Sequence, residues 1–102
     1  MITRIVKLHF TSEHITDFLS YFDGINQVVN TFPGCQGMRL LQDKKNPCIV
    51  FTYSEWSSEE ALEAYRTSEI FQEIWPKIKC WFDQKAEAWT VNTYFDGFEK
   101  LS

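Results

Sequence analysis

A chain of 102 residues is the length of one domain with a single modest core, and its 44% hydrophobic and 17% aromatic content excludes intrinsic disorder. Ten basic against fourteen acidic side chains give a net charge of −4, with the basic ones scattered apart from Lys44-Lys45 and the Lys77/Lys79 pair, which argues against nucleic acid as a partner. No apolar run approaches the ~20 residues a membrane-crossing helix needs, and MITRIVKLHF alternates instead of forming a signal-peptide core, so no membrane association and a cytoplasmic location are expected.

In chain order, Ile2 to Phe10 reads as a strand, with Ile2, Val6, Leu8 and Phe10 on one face and Thr3, Ile5, Lys7 and His9 on the other. Thr11-Ser12 supplies a predicted helix cap, and Ile15, Phe18, Leu19, Phe22, Ile25, Val29 and Phe32 then recur along one helical stripe. Gly24 falls on the solvent side of that helix, and Pro33-Gly34 ends it. Cys35 to Gln42 is a second strand, and the charged turn Asp43 to Pro47 joins it in a hairpin to the apolar run Ile49 to Tyr53.

The pattern changes to helical after Trp56. Ser57 is the predicted cap, Glu60 closes a capping box and Trp56 staples onto Ala61. Beyond Tyr65 the apolar positions Ile70, Phe71, Ile74, Ile78 and Trp81 project from the opposite side of a continued helix, so Thr67 or Ser68 is expected to recap a second segment. Pro76 is expected to kink or restart that segment. Lys85 to Tyr94 alternates as a fourth strand. The domain is drawn over residues 1–95, with 96–102 as a tail.

The order β-α-β-β-α-β is that of a ferredoxin-like α+β fold, an antiparallel four-stranded sheet with helices on one face. Ile5, Phe51, Trp89 and Val91 cannot all point at those helices, and a second copy of the chain is expected to cover the other face in a homodimer. Cys35, Cys48 and Cys80 lie far apart, without a C-x-x-C or a neighbouring histidine, and are read as buried, reduced thiols.

Across nearly the whole chain these residues resemble the antibiotic biosynthesis monooxygenase superfamily of dimeric α+β barrels. The resemblance rests on Pro33-Gly34-Cys35, Asn46-Pro47, Glu55-Trp56 with Ser57 and Ala61, Ser68-x-x-Phe71, and Ala88-Trp89. It implies a cofactor-independent monooxygenase, needing neither flavin nor metal, that acts on a quinol-like or polyketide-like aromatic molecule. The superfamily's haem-degrading members are similar in outline but need an asparagine, a tryptophan and an iron-binding histidine. The matching positions here are Val6 or Lys7, Tyr65 and Trp75, which speaks against haem degradation.

The candidate site follows the concentration of rings where the third strand hands over to helix. Tyr65 is the catalytic candidate that orients a substrate oxygen, with Trp75, Trp56 and Phe71 as substrate-binding walls. His9 is the candidate base, imidazole being a side chain that can take up and release a proton near neutral pH. His14 and Arg66 read as solvent-facing, and no metal-spaced histidine set is present. No nucleophile elbow, phosphate loop or dinucleotide fingerprint occurs, which removes hydrolase, kinase and dehydrogenase readings. The alternative is a non-catalytic dimeric module binding an aromatic or haem-like ligand.

Overall fold

The computed structural model describes residues 1–98, among which the elements run β1 (Ile2–Phe10), α1 (Ile15–Asn30), β2 (Cys35–Gln42), β3 (Ile49–Trp56), α2 (Glu59–Arg66), α3 (Glu69–Lys79) and β4 (Phe82–Val91). The strands form one antiparallel sheet in the order β2-β3-β1-β4, the ferredoxin-like arrangement, with the second helical layer divided between α2 and α3.

Register fixes what each face of the sheet carries. Met38, Ser54, Arg4 and Thr90 are successive partners across the four strands, and the row Leu40, Thr52, Val6, Ala88 lies beside them. Both rows belong to the face under the helices. On the opposite face the row Arg39, Tyr53, Ile5, Trp89 runs across the same strands. The core lies on the helix side, where Leu8, Phe10 and Val50 of the sheet meet Phe18 and Val29 of α1 and Ile74 and Ile78 of α3. Phe10 and Phe18 stack there with ring centroids 4.2 Å apart.

Two helix starts differ from the reading of the sequence, for one shared reason. Ser57 does not cap α2, because its N–H still donates to the Gly34 carbonyl at 2.8 Å and keeps it in the strand connection. Ser58 is the cap, its Oγ accepting from the Ala61 N–H at 3.1 Å. That shift of one residue takes Glu60 out of the capping box and Trp56 out of the staple position. Likewise the Thr11 N–H is held by the Trp81 carbonyl at 3.0 Å, and α1 starts only at Ile15, after a turn in which the Thr11 carbonyl accepts from His14 and Ile15. The Thr11 hydroxyl is buried and, among the described residues, has no hydrogen-bond partner, so it does not cap.

Ser68 recaps the chain as α3, accepting from the Phe71 N–H, which is one of the two residues named for that role. Pro76 sits inside α3 without restarting it. The carbonyl of Gln72 loses its donor there, and Gln72 is exposed to water. β4 begins at Phe82 instead of Lys85 and stops at Val91 instead of Tyr94. Its pairing with β1 shifts register twice between Lys7 and Phe10, and such a bulge breaks the period-2 pattern that would have marked the strand's start.

Cys35 and Cys48 are partly buried free thiols, but Cys80 is exposed: it ends α3, where its Sγ–H donates to the Lys77 carbonyl. Residues 92–98 contain neither helix nor strand, and residues 99–102 of the expected tail lie outside the described residues. Among the described residues, no helix is long and apolar enough to cross a membrane.

Candidate functional site

Between the helix-side face of the sheet and the helices lies a cavity of about 330 Å³. Its rings form a connected series. Trp56, the last residue of β3 and only 1% exposed, stacks on Tyr65 of α2 at 5.1 Å and 26°. Tyr65 meets Phe71 of α3 edge-on at 5.3 Å, and Phe71 stacks on Trp75, one turn further along α3, at 5.6 Å and 11°. Trp75 meets Phe82 edge-on at 5.6 Å, which returns the series to the sheet. The break between α2 and α3 produces this wall: Ser68 ends one helical direction and starts another, so Tyr65 and Phe71 approach from two axes.

The polar groups are few. The Trp56 Nε1–H donates to the buried Ser54 Oγ at 3.0 Å, which satisfies the indole and leaves it as a wall. Burial, with lesser contributions from Cys35 and Tyr21, pushes the Tyr65 phenol from its ordinary 10.0 up to about 12. Tyr65 is therefore protonated at neutral pH, with an O–H that can donate a hydrogen bond.

Two arginines line the same cavity. Arg4 stands in the inward row of β1, between Ser54 and Thr90, and its Nη1 donates to Thr90 Oγ1 at 2.8 Å. Arg66 ends α2 and pairs with Glu63 at 3.2 Å. Burial first and the Arg66 charge second lower the Arg4 pKa, while Glu63 raises it. Of the lining residues, Arg66 and Ala88 are the exposed ones, so the mouth opens between the end of α2 and β4.

Tyr65, Trp75, Trp56 and Phe71 thus come together around one cavity. His9 does not join them. It lies on the other face of β1, with Nε2 3.8 Å from Asp83 Oδ2. His14 is half-exposed and bonded through Nδ1 to Asp17 at 2.9 Å. Among the described residues, no three His, Cys, Asp or Glu side chains converge as metal ligands.

Sequence reasoning does not find Arg4 and Arg66 as lining residues, although each leaves a trace in the sequence. Position 4 is the polar interruption in the inward row that otherwise holds Ile2, Val6, Leu8 and Phe10. Arg66 falls four residues after Leu62, on the same side of its helix, although its charge reads as a solvated face.

Fold and cavity define a ferredoxin-like α+β protein with a ring-lined chamber between sheet and helices. The family model described as "Antibiotic biosynthesis monooxygenase" matches residues 1–76, and the chain belongs to that family. Among solved structures, an antibiotic biosynthesis monooxygenase is similar with a TM-score of 0.85 at 22% identity, covering 91% of this chain and 98% of that one. A conserved protein from Methanosarcina mazei Go1 is similar with a TM-score of 0.82 at 24% identity, over 89% and 91% of the two chains. A protein of Mycobacterium tuberculosis reaches 0.84 at 10% identity, over 94% and 97%. At these identities the likeness is one of fold. No curated protein matches the chain significantly.

Proposed function

We propose that the protein is a monooxygenase, independent of flavin and metal, that oxygenates a quinol-like or polycyclic phenolic small molecule in this cavity. The observation that carries the reading is a cavity of about 330 Å³ walled by stacked rings with one protonated phenol, Tyr65, in the wall. That size lies at the small end of ligand pockets, roughly 300–1,000 Å³, and suits a flat fused-ring molecule better than a tetrapyrrole.

In this reading Trp75 and Phe71 stack on the substrate ring and Trp56 backs Tyr65, whose O–H donates to the substrate oxygen. In an anthrone-type substrate the ring methylene conjugated with a carbonyl loses a proton to give an enolate, and that anion gives one electron to molecular oxygen. The radical pair joins as a hydroperoxide, and loss of water leaves a carbonyl: CH2 and O2 become C=O and H2O. The substrate supplies all four electrons, so no external reductant enters. His9, on the far face of β1, has no part in the reaction, and the substrate's proton goes to solvent.

A second reading is a non-catalytic module that binds an aromatic or haem-like ligand. It is favoured by the lining itself, which among the described residues contains no carboxylate or imidazole to serve as base. Oxygen uptake separates the two. Metal-free and flavin-free protein is supplied with anthrone-type and quinol compounds, alongside Tyr65→Phe and Trp75→Ala. The oxygenase reading expects uptake above the spontaneous rate that drops about tenfold or more in each variant. Uptake no faster than the spontaneous rate gives the binding-module reading precedence.

The proposed assembly is a homodimer built through the open face of the sheet. Leu41, Trp89 and Val91 are exposed there, and a hollow of about 1040 Å³ lies between that face and residues 92–98.

A further inference from the structure

An arginine on the core-facing side of a central strand requires an explanation. Arg4 occupies the position between Ser54 and Thr90 in a row that faces the helices, and a second guanidinium, Arg66, reaches the same cavity from the end of α2. Among the described residues these two are the charged groups of an otherwise uncharged lining, in a chain whose net charge is −4. The plainer explanation is an ordinary surface network, with Arg66 held by Glu63. It accounts for Arg66 but not for Arg4, whose bonded partner among the described residues is the neutral Thr90 hydroxyl. Two guanidinium charges with one nearby carboxylate leave an excess positive charge at the mouth. Like charges placed close together are unfavourable until an anion enters between them.

Each guanidinium carries five N–H donors, and among the described residues Arg4 and Arg66 use one each, toward Thr90 and Glu63. A planar fork of that kind matches a carboxylate or an ionised ring oxygen. We infer that Arg4 and Arg66 form an anion-recognition pair at the mouth of the cavity, and that the ligand is a fused-ring arene carrying a carboxylate or phenolate at one end. This inference rests on the aromatic-ligand reading above and adds the charge of the ligand to it. The lowering of the Arg4 pKa by burial and by Arg66 agrees with a cationic pair that lacks a full counter-charge. It also supplies what the lining otherwise omits. Without a base in the cavity, a phenol ionises more readily if its anion is held by fixed positive charge, and the proton passes to water.

The test uses tryptophan fluorescence, since Trp56 and Trp75 line the cavity, to titrate the protein with 1-hydroxy-2-naphthoate and with uncharged 1-naphthol. The parent is expected to bind the anion about tenfold more tightly or better, by a margin that shrinks as salt is added. In Arg4→Gln/Arg66→Gln the preference is expected to fall to roughly parity while naphthol binding stays within about threefold, and Arg→Lys at both sites should restore part of it. Lys44→Gln, in the β2–β3 turn, controls for overall charge and should leave the preference intact. Equal affinity for the two ligands in the parent, or a preference untouched by the double substitution, overturns the inference and leaves the aromatic-ligand reading standing. Failure of both naphthalenes to bind overturns that reading and the inference with it.

Discussion

Trp56 and Tyr65 stack at 5.1 Å across the junction of β3 and α2, and Phe32 meets both edge-on, at 6.3 and 5.3 Å. Three segments of the chain are therefore joined through one ring, and the indole N–H is satisfied within β3 by Ser54. Trp56→Ala is expected to lose about 3–5 kcal/mol of stability, a large share of the total for a domain this size, as measured by urea unfolding. Tyr65→Phe keeps the ring and should stay within about 1 kcal/mol of the parent. That variant can therefore test chemistry without unfolding the protein.

Tyr65 also makes an alkaline signature. An unfolded tyrosine ionises near pH 10, whereas the folded phenol does so at about 12. Below pH 10 both states hold the proton and the stabilising contribution is fully present. Between 10 and 12 the unfolded state alone gives it up, so stability falls as pH rises. Unfolding measured at about pH 9.5 and 11.5 should show this loss, and Tyr65→Phe should reduce it. Some slope will persist, since desolvation and then Glu73 raise Tyr21 as well. An identical slope in parent and variant would contradict the burial of the Tyr65 hydroxyl.

The elements legible in the sequence are those whose pattern is carried by side chains alone. The strands Ile2–Phe10 and Cys35–Gln42, and the division of the second helical layer at Ser68, follow from spacing. What cannot be read there depends on backbone bonds to distant residues. Ser57 and Thr11 look like caps, yet each has its N–H tied to another segment, by Gly34 and Trp81, and the helix starts after that tie is released. The same holds for the site. The ring cluster of Trp56, Tyr65, Phe71 and Trp75 is visible because aromatic residues are conspicuous at a strand-to-helix junction. Arg4 is hidden because a charge in an alternating strand is ordinarily assigned to water, and its inward position becomes evident only from register against Ser54 and Thr90.

The two glycines of the α1 region should respond in opposite directions to alanine. Gly34 has φ +89°, and a Cβ there would fall 2.5 Å from the Ala61 Cβ, a backbone conformation and a contact that both oppose a side chain. Gly34→Ala is expected to destabilise by about 1–3 kcal/mol and to loosen the junction of β2 with α2. Gly24 lies on the exposed face of α1, where an added Cβ would have nothing within 4 Å, so Gly24→Ala should stabilise by up to about 1 kcal/mol. Midpoints of thermal unfolding that move the same way in both variants would refute the assignment of their roles.

Ile5 and Trp89 are directly opposed partners of β1 and β4 on the open face, and Trp89 is 45% exposed there. Tyr94, Phe95 and Phe98 follow just beyond the sheet and are almost fully exposed. Exposed aromatic and aliphatic side chains gathered on one face of a sheet mark an interaction surface, and a second copy laid face to face would remove them from water. Light scattering at micromolar concentration should therefore give twice the 12.1 kDa chain mass. Trp89→Glu places a charge where the two sheets would meet, and burying it unpaired is costly enough to weaken association about a hundredfold, or roughly 3 kcal/mol. Because Trp89 points away from the cavity, the variant should keep its fold and its affinity for naphthol. A parent chain at its monomer mass, or a Trp89→Glu protein that associates as tightly as the parent, would exclude the open face as the dimer interface.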